Sequence, residues 1–178
     1  ISQRVDFLET RDEKRDSLDQ NYVKLLKDCG YLPLPIPNSI VSDPSDKDSS
    51  MEEIKNWFKK ILPDGILFTG GNDFGEYLER DTTELITLEY AKINLLPVLG
   101  ICRGMQLLAV SEGIKLLPIN GHVGHRHYIT GEINQEVLCF HNFSIERIPE
   151  NFKVIAKSQE GLIEGIRHNT LPIEGWMW

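Results

Sequence analysis

Cysteine is scarce in this chain, and the cysteines that are present lie far apart. The 178 residues contain three, Cys29, Cys102 and Cys139. Three widely separated cysteines match neither a disulfide framework nor the spacing of a zinc motif, and this usage is typical of a reducing compartment. The sequence therefore excludes a small disulfide-rich fold and predicts a cytoplasmic location, and no pattern in it indicates a cofactor.

Basic residues and long apolar runs are also in short supply. The chain has 19 lysines and arginines against 27 aspartates and glutamates, which gives a formal net charge of −8. Without a basic block to neutralise phosphates, we expect no nucleic-acid partner. No apolar run approaches the ~20 residues that span a bilayer and no signal-peptide pattern is present, so we expect no membrane association.

The apolar patterns predict one α/β domain over residues 1–178, with a doubly wound, mostly parallel sheet. Helical spacing after Asp16 predicts a first helix that buries Cys29 in the core, and Ser50 with Glu53 forms a capping box for a second. Caps at 81–84 predict the start of a third helix. From Glu136 onward the chain becomes rich in predicted strands.

Several segments are predicted to lie outside the helices. Residues 9–16 form a charged loop, residues 38–50 form a surface loop, and the prolines of residues 32–36 indicate an edge strand. Three histidines lie within Gly121–His127, but no cysteine or carboxylate close in sequence completes a metal-ligand set. We therefore predict a solvated loop there and no metal site.

Cys102 lies at the corner between a buried strand and a helix. The apolar run Leu95–Ile101 predicts the strand, and the spacing after Met105 predicts the helix. Gly100 and Gly104, two residues on either side, remove β-carbons that would clash at so sharp a turn. The helix N-terminus favours the thiolate, so Cys102 is a candidate nucleophile, with a buried structural cysteine as the alternative.

A second glycine site follows another predicted buried strand. Residues 65–69 form this strand, and Gly70-Gly71-Asn72-Asp73 come directly after it. Because the ends of neighbouring parallel strands face the same crevice, we expect the exposed N–H groups of this loop to lie opposite Cys102. A nucleophile facing bare N–H groups is the arrangement of an oxyanion hole.

Together these segments resemble the class I glutamine amidotransferase superfamily, and within it the γ-glutamyl hydrolase branch of peptidase C26 type. The resemblance covers residues 1–178 and is most specific in Thr69–Asp73, Arg80-Asp81 and Pro97–Gln106, while the segments after residue 155 are similar to the last strands of the family. It implies a flavodoxin-like α/β fold. It also implies a cysteine-dependent hydrolase that cleaves a small γ-glutamyl amide through a γ-glutamyl thioester, releasing glutamate and an amine.

The resemblance also implies a role for individual residues. Cys102 is the nucleophile, and the main-chain N–H groups of Gly71 and Arg103 form the oxyanion hole. The substrate contacts that the resemblance implies are Gly70, Gln106, His141 and Asn142. The side chains of Arg80 and Arg103 are structural or lie at the pocket rim. From the residues alone, the segment around His141 also fits a surface turn.

A general base for Cys102 is not evident in the sequence. The histidines are His122, His125, His127, His141 and His168, and none follows a strand where the resembled family carries its base. In that family the base and its acid belong to a His-Pro-Glu motif after the strand that here includes Trp178. We therefore expect the base and acid to lie beyond Trp178, and residues 1–178 to be nearly inert.

Three functions remain open at this point, the first of them in two variants. The first is a stand-alone γ-glutamyl hydrolase. Its substrate is either a generic γ-glutamyl amide or a CDP-linked phosphoramidate of capsule assembly, and in the second case Arg11 or Arg15 would contact the phosphate. The others are a glutaminase subunit that delivers ammonia to a synthetase partner, and an inactive scaffold or binding protein. A homodimer is compatible with each of them.

Overall fold

The computed structural model describes all residues, Ile1–Trp178. It has four α-helices: α1 (Gln20–Asp28), α2 (Lys47–Ile61), α3 (Leu78–Ile93) and α4 (Arg103–Ser111). The strands are β1 (Arg4–Leu8), β2 (Glu13–Ser17), β3 (Ile66–Phe68), β4 (Val98–Ile101), β5 (Leu116–Pro118), β6 (Val123–Gly131), β7 (Gln135–Phe140), β8 (Phe143–Ile145), β9 (Phe152–Ser158), β10 (Ile163–His168) and β11 (Ile173–Trp176). No helix combines the length and the apolar character that crossing a membrane requires.

The main sheet has seven strands in the order β3-β4-β11-β10-β9-β6-β7. The strands β3, β4 and β11 run parallel to one another, and the remaining neighbours pair in antiparallel fashion. The α/β class and the strand-rich C-terminal part are as predicted. The parallel part of this mixed sheet is confined to the three strands that surround Cys102.

Helix α4 packs directly on the parallel strands. Met105, Leu107 and Leu108 are fully buried in the main core, together with Phe68 of β3. A β-carbon on Gly175 of β11 would lie 2.9 Å from the Met105 side chain. A glycine at this position therefore lets the helix approach the sheet closely enough to fix the corner at Cys102.

Helices α1 and α2 differ from the sequence predictions. Helix α1 has no buried residue and Cys29 is exposed, so the expectation that Cys29 belongs to the core is wrong. Helix α2 begins at Lys47 with Asp46 as its cap, and Glu53 accepts hydrogen bonds from Ser42. The predicted capping box is therefore wrong, because an aspartate upstream caps the helix first.

Pairing between strands accounts for the other differences. The charged segment 9–16 contains most of β2, which pairs with β1 in a hairpin. The segment 32–36 is not a strand, although Ile36 N–H donates to Ile1 O at 2.8 Å. The predicted histidine loop is largely β6, which pairs with both β7 and β9. Only β6 and β9 are distant in sequence; β2 and β6 are missed because their own sequences are polar, and pairing with other strands defines them.

Helix α3 and strand β4 also begin at residues different from those predicted. Helix α3 begins at Leu78, before the predicted caps, because Asp81 and Glu84 are buried partners of arginines instead of caps. The β4 strand begins at Val98, and Leu95 lies before it in a left-handed conformation (φ 55°) with 66% of its surface exposed. The chain therefore turns at Leu95 before it enters the sheet.

Candidate active site

Cys102 occupies the tight corner between β4 and α4. Its backbone has φ 54° and ψ −108°, a conformation that is costly for a residue with a β-carbon. A β-carbon on Gly100 would lie 2.4 Å from Gly104 O, and one on Gly104 would lie 2.4 Å from Phe68 O. Both flanking glycines are therefore required by the close approach of the backbone, as the sequence predicts.

The glycine loop after β3 lies directly against this corner. A β-carbon on Gly70 would lie 3.3 Å from Cys102 Cβ and 3.7 Å from its Sγ. Gly71 has φ +82° and lines the same cleft as Cys102, and its N–H donates no hydrogen bond within the protein. The two strand ends therefore meet at one crevice, and a residue with a free N–H group lines the same cleft as the thiol.

Arg80 fixes the orientation of this loop from within the protein. Its fully buried guanidinium donates to the carbonyl oxygens of Thr69 and Gly70 at 3.0 Å and of Gly71 at 2.6 Å. In a trans peptide the carbonyl and the following N–H point in opposite directions. The bond to the Gly70 carbonyl therefore turns the Gly71 N–H away from Arg80.

Arg103 serves the site through its main chain, while its side chain faces the interior. The guanidinium is 2% exposed, forms ion pairs with Glu84 and Asp81, and lies 4.1 Å from the centre of the Phe74 ring. The Arg103 main-chain N–H lies beside the sulfur of Cys102 and lowers its pKa. Helix α3 thus anchors the first residue of α4.

Burial determines the charge state of Cys102. Burial raises the pKa of the thiol to about 11, and the Arg103 N–H offsets only part of this effect. Apart from that N–H, the sulfur has one polar contact, Phe140 O at 3.9 Å, and no histidine lies within hydrogen-bond distance. The expectation that the helix N-terminus alone favours a thiolate is wrong, because burial outweighs it.

A cleft of about 680 Å³ opens above Cys102. One wall is β1 with Arg4 and Phe7, and the other is the segment 140–142. Of the four residues predicted to contact the substrate, Gln106, His141 and Asn142 line this cleft, whereas Gly70 does not. The amide of Gln106 donates to Phe143 O at 3.1 Å, which fixes it at the base of the cleft.

Sequence reasoning missed several residues of the site. The Tyr22 hydroxyl from α1 lies 3.5 Å from the Gly70 nitrogen, and burial raises the pKa of this hydroxyl. Asn72 binds Val5 through both its amide oxygen (2.8 Å) and its amide nitrogen (3.0 Å), which attaches β1 to the glycine loop. The position of Asn72 directly after the two glycines could have indicated that it belongs to the site. The sequence around Tyr22 shows only helical spacing, which does not indicate a site residue.

The arginines expected to meet a phosphate lie away from the cleft. Neither Arg11 nor Arg15 lines it, and Arg15 pairs with Glu13 at 2.7 Å on the exposed face of the hairpin. Arg4 lines the cleft in their place and pairs with Asp6 at 2.8 Å. The hairpin register puts a different arginine at the site from the ones that the sequence suggests.

The histidines separate into two groups. His125 is exposed on β6, and His168 accepts a hydrogen bond from Thr170 N–H at 3.1 Å in the loop after β10. The rings of His122, His127 and His141 converge instead, with neighbouring ring centres 4.9 Å apart. His122 and His127 were predicted to lie in a solvated loop, yet His122 is only 5% exposed. His141, which was predicted to contact the substrate or to lie in a surface turn, is 3% exposed.

Comparison with known proteins agrees with this geometry. The sequence model described as glutamine amidotransferase class-I matches residues 17–176. A γ-glutamyl-CDP-amidate hydrolase from Campylobacter jejuni is 28% identical over all of this chain and 86% of its own length. A glutamine-hydrolysing GMP synthase subunit from Pyrococcus abyssi is 33% identical over 66% of this chain and 65% of its own length.

The fold shows the same relationship. A crystal structure assigned to a GMP synthase subunit of Thermoplasma acidophilum superimposes with a TM-score of 0.68. It covers 88% of this chain and 75% of that protein at 21% identity, so the similarity concerns the fold alone. The residues that match the family sequence model include both strand ends, the corner at Cys102 and the strand-rich half of the chain. This chain belongs to the class I glutamine amidotransferase family.

Proposed function

We propose that this protein is a cysteine-dependent γ-glutamyl hydrolase that uses Cys102 as its nucleophile. The observation that carries the proposal is the position of Cys102 in a left-handed corner, directly against Gly70 and in the cleft that Gly71 also lines. A strained backbone of this kind is retained where it presents a side chain for chemistry. The alternative of an inactive scaffold leaves this conformation and its two required glycines without a reason.

In the proposed reaction the Cys102 sulfur attacks the γ-carbonyl carbon of the glutamyl group. The carbonyl electrons move to oxygen, and the N–H groups of Gly71 and Arg103 stabilise this oxyanion. The C–N bond then breaks, the amine leaves with a proton, and a γ-glutamyl thioester remains. Water adds to the thioester through a second oxyanion, which releases glutamate and returns the thiol.

The proton acceptor for Cys102 is proposed to enter along β11. This strand runs parallel to β4, and Cys102 N–H donates to Trp176 O at 2.7 Å, so the chain after Trp176 reaches the same edge of the sheet as the nucleophile. The resembled family carries its base and acid directly after this strand. A thiol with a pKa of about 11 requires such a base to react at neutral pH.

The two walls of the cleft are proposed to divide recognition of the substrate. Gln106, Asn142 and the main chain at His141 hold the glutamyl part at the base of the cleft. The β1 wall, with Arg4, faces the leaving group at the open side. A γ-glutamyl amide with a phosphorylated leaving group is supported by the similarity over the whole chain to the CDP-amidate hydrolase of C. jejuni.

A second candidate function is that of a glutaminase which passes ammonia to a partner protein. It is supported by the similarity to the GMP synthase subunit of P. abyssi. Two aromatic residues at the cleft, Phe7 and Phe140, are 46% and 63% exposed, and apolar side chains at a cleft rim suit a protein partner. The two functions differ in whether glutamine itself is turned over without a partner.

Labelling of the full-length gene product with a γ-glutamyl chloroketone tests the proposed nucleophile. We expect modification of Cys102 in preference to the exposed Cys29, read by peptide mass spectrometry, and protection by excess substrate. Cys102→Ala should lose both the label and glutamate release, while Cys29→Ser, the matched control, should keep both. Equal labelling of Cys29 and Cys102, or turnover in the Cys102→Ala variant, would refute the proposal.

A further inference from the structure

Four buried side chains from separate segments converge behind the wall of the cleft. His122 precedes β6, Cys139 lies on β7, His141 follows β7, and Glu164 lies on β10, which is two strands away from β6 in the sheet. Each is 5% exposed or less. Side chains of His122, Cys139 and His141 place their ligand atoms within 4.8 Å of one another.

The polar atoms at the centre of this cluster have no hydrogen-bond partner. They are Nδ1 of His122, Nε2 of His141 and both carboxylate oxygens of Glu164. The Glu164 carboxylate lies 3.9 Å from the His122 atom and 3.8 Å from the His141 atom. Four unpaired atoms that face one another in the interior are costly unless a ligand satisfies them.

The outer nitrogen of each histidine is already occupied. His141 Nδ1 donates to Phe143 O at 3.1 Å, and His122 Nε2 lies 3.5 Å from the Glu160 carboxylate. Metal-binding histidines show this arrangement, in which one ring nitrogen bonds a carbonyl or carboxylate and the other faces the metal. With the outer nitrogen occupied, each histidine turns its other ring nitrogen, His122 Nδ1 or His141 Nε2, toward Glu164.

From these contacts we propose that His122, Cys139, His141 and Glu164 bind one zinc-like divalent cation. A proton on Glu164 would satisfy one of its oxygens and one histidine nitrogen, whereas a dication in tetrahedral coordination would bind both histidine nitrogens and one carboxylate oxygen at once. With the Cys139 thiolate and the Glu164 carboxylate, the site would be electrically neutral. His127 also lies close, and the ligand atoms of His122, His127 and Glu164 fall within 4.8 Å of one another. It is left out of the set because it is only partly buried and neither of its ring nitrogens is among the unpaired buried atoms.

The distances suit a tetrahedral ion. Ligand atoms around zinc lie roughly 3.3–3.8 Å apart, given bonds of about 2.0–2.3 Å. The contacts of Glu164 with the two histidines need only a small contraction to reach this range. Sequence reasoning rejected a metal because no cysteine or carboxylate is close to the histidines in sequence, but β7 and β10 supply both across the sheet.

The proposed ion is structural and would act on the cleft indirectly. His141 lies between Phe140 and Asn142, which line the cleft beside Cys102. Fixing the His141 ring to β10 through the ion would hold this wall in place. The proposed metal site does not include Cys102, so a test of metal binding does not depend on whether the protein is a hydrolase.

Metal content of the full-length protein tests the proposal. Purified protein is loaded with Zn²⁺ alone, dialysed and analysed by elemental mass spectrometry, and we expect one zinc per chain. Zinc at a hundredfold excess over its dissociation constant should raise the melting temperature by about 5–10 °C. With Co²⁺ alone, a sulfur-to-cobalt charge-transfer band should appear because Cys139 is a ligand.

Matched variants locate the ion. His122→Ala should weaken zinc binding at least about 100-fold and Glu160→Gln, which changes only the outer contact, about 10-fold. His125→Ala on the same strand and Cys29→Ser should bind as the parent does, and circular dichroism checks that each variant folds. If His122→Ala does not fold, the sulfur-to-cobalt band in the spectrum of the parent protein decides whether the proposed site binds the metal. A parent without bound zinc, a cobalt adduct without the sulfur band, or equal loss in His125→Ala would overturn the proposal.

Discussion

At the scale of single residues, Cys102, the proposed nucleophile, and Gly71 place opposite demands on the backbone. Cys102 adopts a left-handed conformation that a cysteine rarely takes, while Gly71 adopts one that only glycine takes easily. In the proposed mechanism the strained backbone of Cys102 exposes the sulfur to the substrate, and the positive φ of Gly71 exposes its N–H to the oxyanion. Substitutions at these two positions should therefore affect turnover more than stability.

The first prediction concerns the titration of Cys102. Because burial raises the pKa of this thiol to about 11, alkylation of residues 1–178 by iodoacetamide should accelerate about tenfold for each pH unit from pH 7 until it levels off near pH 11. The rate at Cys102 is followed by mass spectrometry of its peptide. A plateau near neutral pH would mean that a further group, beyond the Arg103 N–H, stabilises the thiolate.

The second prediction concerns Gly71. In Gly71→Ala the positive φ costs about 1–2 kcal/mol, and the shifted peptide should lower kcat of the full-length enzyme about 10²–10³-fold with little change in KM. Gly75→Ala is the matched control, since Gly75 has φ +91°, open space around it and no place in the cleft. The control should lose similar stability and keep its turnover. An unchanged kcat in Gly71→Ala would remove this N–H from the oxyanion hole.

At the scale of elements, α3 and α4 are joined by buried charges. Arg80 and Arg103 share Glu84, and all three side chains are 2% exposed or less. These ion pairs connect the carbonyls of the glycine loop with the first residue after the nucleophile. The relative position of the two strand ends therefore depends on α3, which contacts neither the sulfur nor the cleft floor.

The third prediction tests this connection. Glu84→Gln leaves two buried guanidinium groups without their shared carboxylate, so the free energy of unfolding should fall by about 3–5 kcal/mol. Glu89→Gln, on the same helix, breaks an exposed ion pair with Lys47 and should cost less than about 1 kcal/mol. Urea denaturation of residues 1–178 measures both. Equal losses in the two variants would show that the buried pairs contribute no more than surface ones.

Elements with strong local patterns were predictable from the sequence, and elements defined by distant partners were not. The strands at 66–68 and 98–101 and the corner at Cys102 follow from apolar runs and flanking glycines. The β6 strand has an almost wholly exposed, polar sequence and is specified by its pairing with β7 and β9. Cys29 was misplaced because helical spacing shows which face is apolar but not whether anything covers it.

The candidate site divides in the same way. Cys102, Gly71 and the main chain of Arg103 could be found because strand ends and glycines mark them. The convergence of His122 with Glu164 could not, since it depends on the order of strands in the antiparallel half of the sheet. Arg4 was missed for a related reason, because the hairpin register decides which arginine reaches the cleft.

At the scale of the whole molecule, the net charge of −8 affects how strongly a charged substrate is attracted or repelled. A nucleotide-bearing leaving group is anionic, and an acidic protein repels it unless a local cation offsets the field. Arg4 is the arginine at the open side of the cleft, with half of its side chain exposed. Recognition of such a leaving group should therefore be local and sensitive to salt.

The fourth prediction follows from this balance. In competition between a γ-glutamyl-CDP-amidate and γ-glutamyl-aminobutyrate, the full-length enzyme should prefer the nucleotide, and Arg4→Gln should raise KM for the nucleotide substrate alone. The preference should shrink as salt rises, since exposed charges are screened over ~10 Å at 0.1 M. Arg11→Gln, exposed and outside the cleft, is the control. A preference for γ-glutamyl-aminobutyrate would contradict the nucleotide substrate and leave a generic γ-glutamyl amide as the proposed substrate.

The backbone-to-backbone contacts of Gly100 and Gly104 also bear on how this protein could be diversified. Because these contacts join β3, β4 and α4 without intervening side chains, the place of the sulfur is insulated from changes in the cleft walls. Random libraries confined to the β1 wall would sample new leaving groups while the proposed reacting centre and the opposite wall stay constant. Libraries that include Gly100 or Gly104 would mostly yield unfolded clones.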